Sequence, residues 1–297
     1  GRQANNNTAL VDSTTFTYTV INVRGAPPAE RVGHAAALVG GAGRERMWVF
    51  GGFVRKLGYM FDTHMLDIAT VEWKQMPVGG SVPDGRINHT MSALGTALYV
   101  YGGAYKSAPF GDVHRLDTVS AQWDKLEVGG LAPEPRSGHV AEFIGEKLFV
   151  VGGISRGESL DDLFYLDTRH MHWCQPRTSH PPRPRAQHAA AVVGTSLMIF
   201  GGSQGGTFFG DLASLDVASR STRVSLVRFG EDYELPSETP AAARGAGGSL
   251  VRFSAAAGGG VSGKGAPKGK VTFGGSSKAI KGMLALKEKS GGAGAES

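Results

Sequence analysis

Four histidines recur three residues after an arginine: Arg31/His34, Arg86/His89, Arg136/His139 and Arg185/His188. If the repeated units stand about an axis, these imidazoles would face one another and could hold a transition metal. The plainer chemistry is local. A residue that recurs at one motif position serves the motif, so each histidine would bond within its own unit, between a turn and the first strand. The repetition favours this second reading. The remaining histidines, His64, His114, His170, His172 and His180, show no ligand spacing. Glu158, Asp161 and Asp162 cluster without a histidine in register and read as a solvated loop. Cys174 follows Trp173 in an expected strand, which suits packing. No phosphate-binding glycine pattern stands between a strand and a helix, and no nucleophile–base–acid spacing is found. No catalytic residue, metal site or cofactor is therefore expected.

The elements that position these residues are set by a repeated phrase. An apolar run ends in two glycines at Gly51-Gly52, Gly102-Gly103, Gly152-Gly153 and Gly201-Gly202, with steps of 51, 50 and 49 residues between first glycines. A fixed period of that size means one supersecondary unit copied along the chain. Each unit opens with Arg-x-x-His. A first strand follows at 35–39, 91–94, 140–144 and 189–193, then a turn, then the apolar run as a second strand. A third strand ends in Leu-Asp at Asp67, Asp117, Asp167 and Asp216, and Trp73, Trp123 and Trp173 come six residues after the first three. The Asp is expected to bond backbone two residues on and hold the turn to a fourth strand. The Trp is expected to pack between neighbouring sheets. No segment keeps a helical period.

These residues resemble the kelch-repeat family, in a Leu-Asp form: an apolar run, Gly-Gly, a spacer, and Trp six residues after the strand end. The resemblance is strong over 15–229 and weak over 244–287. It implies an all-β fold, a kelch-type β-propeller with four clear blades. A fifth, degenerate blade is expected from Arg244, a strand at 249–253, an insertion at 254–270, Gly274-Gly275 and a third strand at 282–286. Residues 15–23 read as an orphan fourth strand that closes this blade and so removes open sheet edges. Residues 1–14 read as a flexible terminus, 15–287 as the propeller and 288–297 as a flexible tail. Propeller enzymes of related type set the competing expectation, a metal-dependent enzyme using the axial histidines. A ubiquitin-ligase substrate adaptor is another, against which the lack of an F-box or BTB segment weighs.

The leading expectation is a non-catalytic interaction module that binds other proteins within a multi-subunit assembly. The family's use of one loop face points to the loops after each glycine pair, 53–62, 104–111, 154–161 and 203–210. They carry Phe53, Arg55, Tyr59, Tyr105, Phe110, Arg156, Phe208 and Phe209, and aromatic residues with arginine are the types enriched in interface hot spots. The blade-five insertion and tail carry Lys264, Lys268, Lys270, Lys278 and Lys281, which could meet an acidic surface such as tubulin or an RNA backbone. A net charge of +5 does not by itself imply nucleic-acid binding. No stretch nears the roughly 18 apolar residues of a membrane span. One cysteine in 297 residues favours a reducing compartment, cytoplasmic or cytoskeletal, with the mitochondrion left open.

Overall fold

The computed structural model describes residues 7–41, 43–177, 181–216, 223–227 and 253–255. Among them there is no helix. Four repeats of four strands form the blades of a β-propeller. Blade I comprises Ala35–Val39, Arg46–Phe50, Thr63–Asp67 and Glu72–Gln75. Blade II comprises Thr90–Leu94, Ala97–Tyr101, Val113–Asp117 and Gln122–Lys125. Blade III comprises Val140–Ile144, Lys147–Val151, Leu163–Asp167 and His172–Cys174. Blade IV comprises Ala189–Val193, Ser196–Phe200, Leu212–Asp216 and Arg223–Val227. In each blade consecutive strands pair antiparallel in sequence order.

The second strands are apolar on nearly every residue because blades in the interior of the array are covered on both faces. Trp48, Phe50 and Met65 of blade I pack against Met91, Leu98 and Val100 of blade II. Tyr99 and Tyr101 of blade II meet Leu148, Phe164 and Trp173 of blade III, and Phe149 and Val151 meet Leu197 and Ile199 of blade IV. The tryptophans work as expected: Trp123 lies 5.1 Å from Phe50 and Trp173 lies 5.1 Å from Tyr101, centroid to centroid, each across a blade boundary. Burying one such aromatic contributes about 1.5–3 kcal/mol. The aspartates also work as expected. Asp117 Oδ1 accepts from the N–H groups of Val119 and Ser120, and Asp67 and Asp167 do the same in their turns.

Short straps join consecutive blades. Gly79–Gly80 leaves blade I and pairs parallel with Gln122 and Trp123 of blade II. Gly129–Gly130 pairs likewise with His172 and Trp173, and Arg24–Gly25 with Glu72 and Trp73.

The N-terminus departs from the sequence reading. Residues 9–12, read there within a flexible terminus, form Ala9–Asp12, which pairs antiparallel with Thr17–Val20. Asp12 Oδ1 accepts from the N–H groups of Thr14 and Thr15, and Phe16 takes φ 54° as Val71 takes 55°. These are the turn features between the third and fourth strands of blades I to III. The chain therefore begins with the outer half of a blade, where one strand was expected. The third strand carries less of the repeat's signature, its ending reading Leu-Val-Asp in place of Leu-Asp. This half-blade touches blade I: Trp73 Nε1 donates to Thr8 Oγ1 at 3.1 Å, and Val23 packs on Leu66 and Trp73.

At the other end, Phe253–Ala255 pairs antiparallel with Ala189–Ala191 on the inner edge of blade IV. The strand expected at 249–253 is described only from Phe253, and 254–255, expected in the insertion, continue it. The rest of the expected fifth blade, including Gly274-Gly275 and the segment 282–286, falls outside the described residues.

Candidate protein-interaction face

The repeated motif is a fixed joint. In blade II, Arg86 Nη1 donates to the Gly102 carbonyl at 2.9 Å, and the guanidinium forks onto Asp112 at 2.7 and 3.0 Å. Arg31 does this with Gly51 and Asp62, Arg136 with Gly152 and Asp162, and Arg185 with Gly201 and Asp211. All four arginines are buried, and a planar fork matched to a carboxylate suits that setting. Burial works against the Asp62 and Asp112 carboxylates. Bonds from His64 and Arg31, and from His114 and Arg86, outweigh it and hold both far below the usual carboxylate range.

The first three glycine pairs each sit between two histidines, and Gly202 of the fourth lies against His188. A Cβ on Gly102 would lie 2.6 Å from the Arg136 carbonyl and 2.7 Å from His139 Cε1 of the next unit. A Cβ on Gly103 would lie 2.7 Å from His89 Cβ of its own unit. Both glycines have positive φ, 62° and 92°, and the Gly103 N–H donates to the Arg136 carbonyl at 2.9 Å. The pair thus lets adjacent blades touch through backbone.

The histidines are structural, but they do not bond within their own unit as the sequence suggested. His89 packs edge-on to Phe50 of the preceding blade at 5.5 Å, His139 to Tyr101 at 5.1 Å, and His139 Nε2 lies 3.1 Å from Thr90 Oγ1. Burial pushes the His89 and His188 imidazoles down to about 3, and drives His139 well below its ordinary value. Among the described residues no three His, Cys, Asp or Glu side chains converge to hold a metal ion. Of the acidic cluster, Asp162 is the partner of Arg136, while Glu158 and Asp161 are exposed. Cys174 stands cross-strand from Tyr165, and its hydrogen bond leads the causes that raise the Tyr165 phenol.

The loops after the glycine pairs are β-hairpins, here called fingers I to IV: Phe53–Val54 with Gly58–Tyr59, Ala104–Tyr105 with Ala108–Pro109, Ile154–Ser155 with Glu158–Ser159, and Ser203–Gln204 with Thr207–Phe208. All leave the second strand of a blade, so all rise from one face. A bridge from the residue after each motif arginine pins the finger base, as in Val32–Phe53 and Ile87–Ala104.

The sequence-selected residues divide into two groups. Arg55 and Arg156 are exposed at finger tips, Tyr105 is 44% exposed and Phe208 73%. Phe53 and Tyr59 are half-buried and stack edge-on at 5.2 Å, and Tyr59 reaches Tyr105 of finger II at 4.7 Å. Phe110 and Phe209 turn inward beneath the motif arginines, 4.2 Å from Arg86 and 5.0 Å from Arg185. The sequence reading missed Lys56, Leu57, Phe61 and Lys106, all exposed on or beside the same fingers. Their place in the loops was legible; their outward direction was not. Lys264, Lys268, Lys270, Lys278 and Lys281 lie outside the described residues.

The family model described as the KLHDC2/KLHL20/DRC7 kelch-repeats domain matches residues 1–139 and again 97–225. The kelch domain-containing protein 2 of Bos taurus is 34% identical over 100 residues, covering 33% of this chain and 23% of the relative. The Rab9 effector protein with kelch motifs of Xenopus laevis is 36% identical over 90 residues, covering 30% and 24%. A tRNA wybutosine-synthesizing protein 2/3/4 of Arabidopsis thaliana is 36% identical over 106 residues, covering 35% and 10%. The matched segment thus spans a quarter or less of each of these relatives.

Proposed function

This chain belongs to the kelch-repeat family, and we propose that it is a non-catalytic interaction module that holds protein partners on its finger face, as one subunit of a larger assembly. The observation that carries the proposal is the contrast between motif and finger. The Arg and Asp of each repeat lock that repeat's own chain together, and the Gly and His pack blade against blade. The finger tips carry exposed aromatic and cationic side chains that the fold does not need. Function commonly resides in loops held by a rigid scaffold. The Rab9 effector relative is named for a protein partner, which supports the class of ligand. The wybutosine-synthesizing relative matches over a tenth of its own length, and no activity is carried across from it. A contact of the Lys-rich C-terminal stretch with tubulin or RNA, and a cytoplasmic setting, belong to the same proposal.

The test replaces Arg55, Tyr105, Arg156 and Phe208 together by alanine. These side chains are exposed, so the far-ultraviolet circular dichroism spectrum and the melting midpoint stay close to wild type. Proteins captured by the wild-type chain are then expected to be lost. Unchanged capture by the folded variant would remove the finger face from the account.

A further inference from the structure

We infer that fingers I and II form a docking site for an acidic peptide segment bearing an aromatic or aliphatic anchor; this rests on the proposed use of the finger face by partners. Three cations stand on two adjacent tips, Arg55, Lys56 and Lys106, all exposed. None of them belongs to an ion pair among the described residues. The carboxylates at the roots of these fingers, Asp62 and Asp112, are occupied by Arg31 and Arg86. The tips therefore present uncompensated positive charge.

The aromatic residues set the rest of the site. Tyr59 and Tyr105 join the two fingers at 4.7 Å, and the Lys106 ammonium lies 5.4 Å from the Tyr105 centroid. Leu57 and Phe61 stand exposed beside them. Cations over an apolar floor complement a peptide with carboxylates around one apolar side chain, and charge complementarity of this kind sets specificity and association rate. A single-stranded nucleic acid would instead need open rings for stacking. Here Tyr59 is packed on Phe53 and Tyr105, and Lys106 lies near the Tyr105 ring.

The experiment selects short random displayed peptides on the whole chain. Enrichment of Asp and Glu flanking Phe, Tyr or Leu is expected. A synthetic peptide of the selected sequence should weaken at least about tenfold when its Asp and Glu become Asn and Gln. It should weaken similarly on the Arg55→Glu, Lys56→Glu, Lys106→Glu chain, whose melting midpoint reports intact folding. Selection without acidic bias, equal binding by the charge-reversed chain, or tighter binding of an oligouridylate RNA would overturn the inference. If it fails while alanine at Arg55, Tyr105, Arg156 and Phe208 still abolishes partner capture, the acidic ligand is wrong and the finger face stands. If that alanine chain also keeps its partners, both fall.

Discussion

At the scale of the residue, the repeat phrase is an inter-blade joint, and its members should behave as core. Gly102→Ala would force a Cβ against the Arg136 carbonyl, at positive φ. Neither neighbour can retreat, because Arg136 is held by Asp162 and His139 is buried. A loss of about 3 kcal/mol or more is expected, read by chemical denaturation. The histidines give a second prediction. His89 and His188 titrate near 3 in the fold, lowered first by burial, against about 6.5 in an unfolded chain. Below pH 6.5 the unfolded chain therefore binds protons that the fold does not. The histidines' full contribution holds above pH 6.5 and is lost as pH falls toward 3. Stability should drop by on the order of 1–2 kcal/mol for each such histidine between pH 6.5 and 5. His89→Asn should flatten that slope whatever it does to stability at pH 7. The glycines and aspartates were legible because their period exposes them. The histidines' partners were not, because a repeat shows what recurs within a unit and not what one unit touches in the next.

At the scale of the element, the fingers separate structure from function within a few residues. Phe208 and Phe209 are neighbours in sequence, yet one points to solvent and the other lies under Arg185. Composition could place aromatics in these loops but could not assign direction. That follows only from pairing, since neighbouring residues of a strand face opposite ways. Phe110→Ala is accordingly expected to cost about 1–3 kcal/mol, through lost packing on the buried Arg86. Phe208→Ala should stay within about 0.5 kcal/mol of wild type, as exposed substitutions do. Thermal melts of the two variants, side by side, check the assignment.

At the scale of the whole molecule, the four blades were legible from the glycine pairs, and closure was only partly so. The face of blade IV away from blade III differs from its counterparts. Phe200 is 51% exposed, whereas Phe50 is fully buried beneath Trp123 and His89 of the next blade. At the N-terminus, the half-blade supplies third and fourth strands, so a closing blade needs first and second strands. Residues 270–273, the apolar run before Gly274-Gly275, are the expected second strand. With the register of blade I, where Trp48 stands opposite Met65, that expected strand would bring Val271 opposite Leu10. A Leu10→Cys, Val271→Cys chain in a Cys174→Ser background should form an intramolecular disulfide under mild oxidation. Failure to cross-link would place the closing strands elsewhere. Hydroxyl-radical footprinting of the chain with a captured partner bound distinguishes partners held by the fingers from partners held on the opposite face. Arg55, Tyr105, Arg156 and Phe208 are expected to be protected. Protection confined to the turns after Asp67, Asp117 and Asp167, with the fingers unchanged, would contradict binding by the fingers.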